Sequence, residues 1–102
     1  MSDIDVCADG DIAAGGHKLV DLGGGMEVAV FYVDGNYYAI EDVCTHDDGP
    51  LAEGELEGCQ IICPRHGARF DIRTGEALTL PAYRPVESFP VRVDAGRVVL
   101  EA

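Results

Sequence analysis

The chain has 102 residues, of which 47% are hydrophobic and 25% charged, a composition typical of one folded domain rather than of a disordered or fibrous segment. Its 19 acidic and 7 basic side chains give a net charge of −12, which argues against binding to nucleic acid or to an anionic membrane surface. Residues 1–64 carry 14 of the acids and a single base, Lys18, so this surface either attracts a basic protein partner or only keeps the protein in solution.

Short apolar runs separated by turn residues predict eight β-strands, at residues 4–7, 18–21, 27–33, 37–40, 60–63, 69–72, 86–93 and 97–101. Tight turns are predicted at residues 23–25, 34–36 and 94–96, which are rich in Gly, Asp and Asn. No stretch keeps the 3.6-residue apolar period of an amphipathic helix. The expected fold is therefore all-β, as a small antiparallel β sandwich or partial barrel.

The longest apolar run, residues 28–33, is much too short to cross a bilayer. The start of the chain also lacks the basic and apolar regions of a secretory signal. We therefore expect a cytoplasmic protein that binds no membrane. In that compartment, four cysteines are expected to be thiols or metal ligands rather than disulfide partners.

Two Cys/His pairs, Cys44-x-His46 and Cys63-x-x-His66, stand where predicted strands run into loops, with sixteen residues between them. Thiolate and imidazole ligands suit zinc as well as iron, so the residue types alone do not name the metal. A zinc knuckle uses two cysteines followed by two histidines, whereas here each half supplies one of each. The mixed pairing suits a two-iron cluster with both thiolates on one iron and both imidazoles on the other. A zinc ion that only cross-links the domain is the alternative.

With this motif the sequence resembles the Rieske family. The run CPRHGARFD at residues 63–71, followed by RTG at 73–75, is similar to the ferredoxins that feed bacterial ring-hydroxylating dioxygenases. Leu80-Pro81-Ala82 resembles the proline-containing loop that covers the cluster in this family. The resemblance covers essentially the whole chain. It implies one Rieske domain over residues 1–102, whose two ligand loops form a cluster-binding subdomain at about residues 43–82.

The resemblance implies one [2Fe-2S] cluster, with Cys44 and Cys63 binding the inner iron and His46 and His66 binding the outer iron near the surface. The implied function is that of a soluble one-electron carrier between a flavin-dependent reductase and a terminal oxygenase. It would be a monomer that docks transiently by electrostatic attraction. We expect no catalytic residue and no enzyme activity, because only His17 remains for a mononuclear site of two histidines and a carboxylate.

Some positions depart from other branches of the family. Respiratory members have a disulfide between the two ligand loops, with its cysteines where this chain has Gly49 and Arg65. They also have a serine and a tyrosine that donate to sulfur where this chain has Ala68 and Phe70. Without these donors the reduced cluster is less stabilised, so we expect a reduction potential toward the low end of about −150 to +300 mV.

Other functions share these features. Alternatives within redox chemistry are the small subunit of an assimilatory nitrite reductase and a carrier for iron–sulfur cluster assembly. Outside it, the alternative is a zinc-stapled interaction module. Cys7 and Cys59 are expected to be buried free thiols, and His17 to face solvent. Asp47 and Asp48 flank the tip of the first ligand loop, where they either meet basic groups on a partner or only solvate the loop.

Overall fold

Ten β-strands make up the regular structure of the computed structural model, which describes residues 3–44, 49–65, 67–80, 82 and 84–102. The strands are β1 (Asp3–Ala8), β2 (His17–Gly23), β3 (Met26–Val33), β4 (Asn36–Glu41), β5 (Glu55–Glu57), β6 (Gln60–Ile62), β7 (Arg69–Asp71), β8 (Ser88–Phe89), β9 (Val91–Asp94) and β10 (Arg97–Glu101). No helix occurs in these ranges, so the all-β prediction is confirmed. Nor do the described residues hold a helix long and apolar enough to cross a membrane.

The strands form three antiparallel sheets. Their strand orders are β1-β10-β9, β2-β3-β4-β8 and β5-β6-β7. The first strand of the chain therefore pairs with the last, Ile4 opposite Leu100, which ties the two ends of the chain together. None of the sheets closes into a barrel within the described ranges, which agrees with the expected small antiparallel sandwich or partial barrel.

Strand β3 is buried on both faces and separates two apolar clusters. Val28 and Val30 pack with residues of the β1-β10-β9 sheet such as Val98. The alternating residues, among them Phe31, pack instead with β6, β7 and the loops beside them. Because side chains alternate across a strand, a strand that is covered on both sides needs an unbroken apolar run. The β2-β3-β4-β8 sheet is thus the middle layer. The apolar cluster that contains Phe31 lies between this sheet and the small β5-β6-β7 sheet.

All three predicted turns connect strands as expected. The β3–β4 turn consists of Asp34 and Gly35, with φ values of 51° and 81°, and the β9–β10 turn of Ala95 and Gly96, with φ values of 50° and 78°. Positive φ at both central residues is the geometry of the type I′ hairpin, whose twist matches that of the strands. The three glycines at 23–25 make the β2–β3 connection, each with positive φ.

Two strand predictions need correction. Residues 86–93 do not form one strand, because Pro90 separates β8, which pairs with β4, from β9, which pairs with β10 in another sheet. Proline cannot donate to a strand ladder, so a break at this residue is physically reasonable. The short strand β5 was not predicted, because Glu55–Glu57 has acidic ends and only Leu56 between them.

Candidate metal centre between two loops

The first ligand loop leaves β4 and is held closed at its base. Oδ1 of Asp42 accepts the backbone N–H groups of Leu51 at 2.8 Å and Ala52 at 2.7 Å, on the far side of the loop. The N–H of Cys44 donates to the carbonyl oxygen of Gly49 at 2.7 Å. Residues 45–48, which include His46, Asp47 and Asp48, lie outside the described residues. These bonds fix where the loop leaves the core and where it rejoins it. They also hold Cys44 at the base of the loop.

The second ligand loop is the turn of the β6–β7 hairpin. The N–H of Cys63 donates to the carbonyl oxygen of Ala68 at 2.7 Å, and the N–H of Gly67 donates back to the carbonyl oxygen of Cys63 at 3.0 Å. Gly67 has φ +74°, a conformation that residues with a Cβ rarely adopt. His66 lies outside the described residues. The sequence Cys-x-x-His-Gly thus fits a tight turn that needs its glycine.

The two loops meet at the strand that leads into the second. A Cβ added to Gly54 would collide with the carbonyl oxygen of Ile62, the residue before Cys63. Gly54 also donates to the carbonyl oxygen of Leu51 at 2.9 Å. The absence of a side chain at residue 54 therefore lets the end of the first loop lie directly on β6.

Cys44 and Cys63 are brought into one apolar cluster. Cys44 is 0% exposed and Cys63 is 1% exposed, and none of the four cysteines forms a disulfide. Ala68 and Phe70 belong to the same cluster, each fully buried. Residues 68 and 70 therefore contribute apolar side chains without a hydrogen-bond donor to this cluster, as the sequence suggested.

The other cysteines lie elsewhere. Cys7 is buried on β1 in the cluster on the other side of the middle sheet, and burial raises the pKa of its thiol. Cys59 was expected to be buried but is only partly so, beside the cluster that holds Cys44 and Cys63. His17 is exposed on β2, with its ring centroid 5.9 Å from that of Phe31, and it faces solvent as predicted.

The segment after β7 folds back over the hairpin. The Asp71 carboxylate accepts hydrogen bonds from Nε and Nη2 of Arg73 at 3.1 and 3.0 Å, which lowers the pKa of Asp71. Further along, the N–H of Leu78 donates to the carbonyl oxygen of Arg69 at 2.8 Å.

Of the predicted covering loop, Leu80 is 79% exposed and Ala82 is buried in the cluster of the two cysteines. Pro81 lies outside the described residues.

Two features of the site were not predicted. One is the role of Asp42, which no local pattern indicates, because the N–H groups that it accepts belong to residues nine and ten positions later. The other is Arg65, whose Nη2 lies 3.5 Å from Sγ of Cys63 and whose Nη1 donates to the carbonyl oxygen of Pro50 at 3.2 Å. Nothing in the local sequence indicates this contact between loops.

The donor chemistry of the described residues fits an iron–sulfur cluster. Two buried thiols at the bases of adjoining loops are soft ligands of the kind that iron–sulfur clusters take. In the part of the chain that the structure describes, no three His, Cys, Asp or Glu side chains could hold a metal ion by themselves.

Comparisons with known proteins give the same indication. The family model of the Rieske [2Fe-2S] domain matches residues 2–90. The ferredoxin component of the p-cumate 2,3-dioxygenase system of Pseudomonas putida is 37% identical over 96% of this chain and 84% of its own length.

Solved structures also superimpose closely. One chain in the complex of reduced oxygenase and oxidized ferredoxin in carbazole 1,9a-dioxygenase is 38% identical, with a TM-score of 0.91 over 96% of this chain and 91% of that chain. A putative NADH-dependent nitrite reductase small subunit from Mycobacterium tuberculosis reaches a TM-score of 0.85 over 97% of this chain and 93% of that chain. Its identity of 23% shows a shared fold alone. By the family match over most of its length, this chain belongs to the Rieske [2Fe-2S] domain family, and its cofactor is one Rieske-type [2Fe-2S] cluster.

Proposed function

We propose that this chain is the ferredoxin component of a multicomponent oxygenase system. It takes one electron from a flavin-dependent reductase and delivers it to a terminal oxygenase. The observation that carries the proposal is the pair of buried thiols at Cys44 and Cys63 in a chain similar over nearly its whole length to such ferredoxins. The chain is an electron-transfer component and is not itself an enzyme.

We assign the cluster ligands to Cys44, His46, Cys63 and His66. The two buried cysteines would hold the inner iron as thiolates, and the two histidines, which lie outside the described residues, would hold the outer iron. This assignment is supported by the Cys-x-His and Cys-x-x-His spacing and by the burial of both thiols. Residues 1–102 would then be one domain, with the cluster-binding part at about 43–82.

When bound, the cluster accepts and releases one electron. The chain's own residues hold its surroundings in place. Asp42 closes the first loop, the Cys63–Ala68 backbone bond closes the second, and apolar side chains such as Phe70 keep water from the thiolate side. Because these contacts involve backbone and packed core, little rearrangement should accompany the change of charge. A small rearrangement suits a carrier that must gain and lose an electron quickly.

Docking with the partners is proposed to be transient and electrostatic, by a monomer in the cytoplasm. The net charge of −12 would draw in basic surfaces and raise the rate of encounter. A cleft of about 320 Å³ next to the first loop has Glu27, Glu41 and Asp42 among its lining residues, which adds negative charge beside the site. The exposed apolar side chain of Leu80, after the second loop, offers a small contact that basic groups could surround.

The proposal predicts strong salt dependence. Electron delivery from the reductase through this protein to the oxygenase should slow by about tenfold when ionic strength rises from about 0.02 to about 0.2 M, because screening weakens the steering. The measurement is the second-order rate of ferredoxin reduction by stopped flow, followed by oxygenase turnover. A rate that does not change with salt would contradict electrostatic docking.

Matched variants locate the docking surface. Asp48→Asn removes one charge from the sequence of the first ligand loop, and Asp34→Asn removes one charge in the β3–β4 turn, where Asn fits the positive φ of 51°. We expect the first to reduce the rate and its salt dependence more than the second. Equal effects of the two variants on the rate would show that only the total charge of the protein controls docking, and would contradict a docking surface at the first ligand loop.

No specific observation favours the other functions. The likeness to a nitrite reductase small subunit is one of fold, and nothing in the described residues points to cluster assembly. A zinc-stapled module does not agree with the [2Fe-2S] cofactor of the family.

A further inference from the structure

Arg65 and Gly49 lie against each other across the two ligand loops. A Cβ added to Gly49 would overlap the guanidinium of Arg65, 2.5 Å from Nη2 and 2.8 Å from Nε. Gly49 does not adopt the left-handed backbone conformation that favours glycine. What matters at this residue is therefore the space left by the missing side chain. The absence of a side chain at residue 49 thus makes room for the arginine.

The same guanidinium bonds to both loops. Its Nη1 donates to the carbonyl oxygen of Pro50 in the first loop at 3.2 Å, and its Nη2 points to Sγ of Cys63 in the second at 3.5 Å. The planar fork of arginine can make two such contacts at once, which lysine cannot reproduce. Arg65 therefore links the exit of the first loop to a buried thiol of the second.

The charge of Arg65 opposes that of its surroundings. Residues 1–64 carry 14 acidic groups and one basic group, so the field around the site is negative and disfavours the uptake of an electron. A guanidinium is permanently positive, and at a ligand sulfur it favours the more negative, reduced state. Arg65 would offset part of the effect of the missing donors at Ala68 and Phe70.

We propose that Arg65, seated on Gly49, is a positioning residue that ties the two ligand loops together and raises the reduction potential through its contact with Sγ of Cys63. The proposal rests on the proposed function, because it takes Cys63 as a cluster ligand. It predicts a potential above the one that Ala68 and Phe70 alone would produce.

The test compares holoproteins with equal iron content by protein-film voltammetry. Arg65→Gln should shift the one-electron reduction equilibrium about tenfold toward the oxidised form, which corresponds to about 59 mV. Gly49→Ala should shift it in the same direction, because the new methyl group displaces the guanidinium. The double variant should shift no further than Arg65→Gln alone. Arg65→Lys, which keeps the charge and loses the fork, should recover part of the shift.

Arg97→Gln is the control for charge. Arg97 pairs with Asp5 on the β1-β10-β9 sheet, away from the cluster of the two cysteines, and its loss changes net charge by the same amount. We expect a much smaller change in potential. Equal shifts for Arg65→Gln and Arg97→Gln would overturn the proposal, as would an unchanged potential in Gly49→Ala.

The outcome is separable from the proposed function. If the wild-type protein lacks a mixed Cys/His cluster, the function itself fails before any variant is compared. If the wild type has this cluster and Arg65→Gln keeps the wild-type potential, only the role of Arg65 is overturned. If Arg65→Gln does not retain a cluster, Gly49→Ala and Arg65→Lys provide the same comparison.

Discussion

Cys63→Ala is expected to yield a protein without bound iron, whereas Cys59→Ala is expected to keep its cluster. The two cysteines flank the same strand, β6, and both contact the same apolar cluster. They differ in burial and in place: Cys63 is 1% exposed at the base of the ligand loop, while Cys59 is partly buried at the other end of β6. Alanine removes the thiolate in both and fits a buried position in both, so the comparison isolates ligation.

The readouts are iron and sulfide content per chain, visible absorption and thermal stability. Cys63→Ala should lose the visible absorption and melt at a lower temperature, because a bound cofactor stabilises the folded state by its binding free energy. Cys44→Ala should behave in the same way. A Cys63→Ala protein with wild-type iron content would contradict the ligand assignment, and loss of iron in Cys59→Ala would show that Cys59 belongs to the site.

Gly75→Ala is expected to cost about 4 kcal/mol of folding free energy, because it combines backbone strain with overpacking. Gly75 has φ +82°, and a Cβ there would collide with the carbonyl oxygen of Val86. The backbone bonds of Gly75 leave no room for adjustment: its N–H donates to Asp71 at 2.7 Å, and its carbonyl oxygen accepts from Val86 at 2.8 Å. These bonds hold the segment after β7 onto the core.

Gly35→Ala is the matched control. Gly35 has φ +81°, nearly the same backbone conformation, but nothing lies within 4 Å of the added Cβ. It should therefore show the backbone strain alone, about 1 kcal/mol. Denaturant unfolding followed by circular dichroism measures both. If Gly75→Ala destabilises no more than Gly35→Ala, the contact with Val86 does not constrain the fold.

The parts of the fold that depend only on residues close together in the sequence could be predicted from it. The β3–β4 and β9–β10 hairpins follow from Asp-Gly and Ala-Gly between apolar runs, because a two-residue turn with positive φ is a local property. The unbroken apolar run of residues 28–33 also marked β3, although its burial on both faces required knowledge of the sheets on either side. The third sheet was only partly predicted, since Glu55–Glu57 has the composition of a loop and pairs as a strand only because β6 lies beside it.

The site followed the same rule. The sequence alone shows the Cys/His spacing, at Cys44, His46, Cys63 and His66. It also shows the glycine that the second turn needs, at residue 67. The contact of Arg65 with Gly49 joins residues 16 positions apart and depends on how the two loops fold against β6. The closure of the first loop by Asp42 likewise becomes visible only when Leu51 and Ala52 return to it. Sequence spacing thus predicts a ligand set, whereas the contacts of Asp42 and Arg65 across the loops are visible only in the tertiary structure.

The measurement that tests this account most directly is low-temperature electron paramagnetic resonance of the dithionite-reduced protein. Ligation by two cysteines and two histidines predicts a rhombic spectrum whose average g lies clearly below that of an all-cysteine [2Fe-2S] cluster. A spectrum of the all-cysteine type would contradict the ligand assignment. A silent sample with one zinc per chain would contradict the redox function itself.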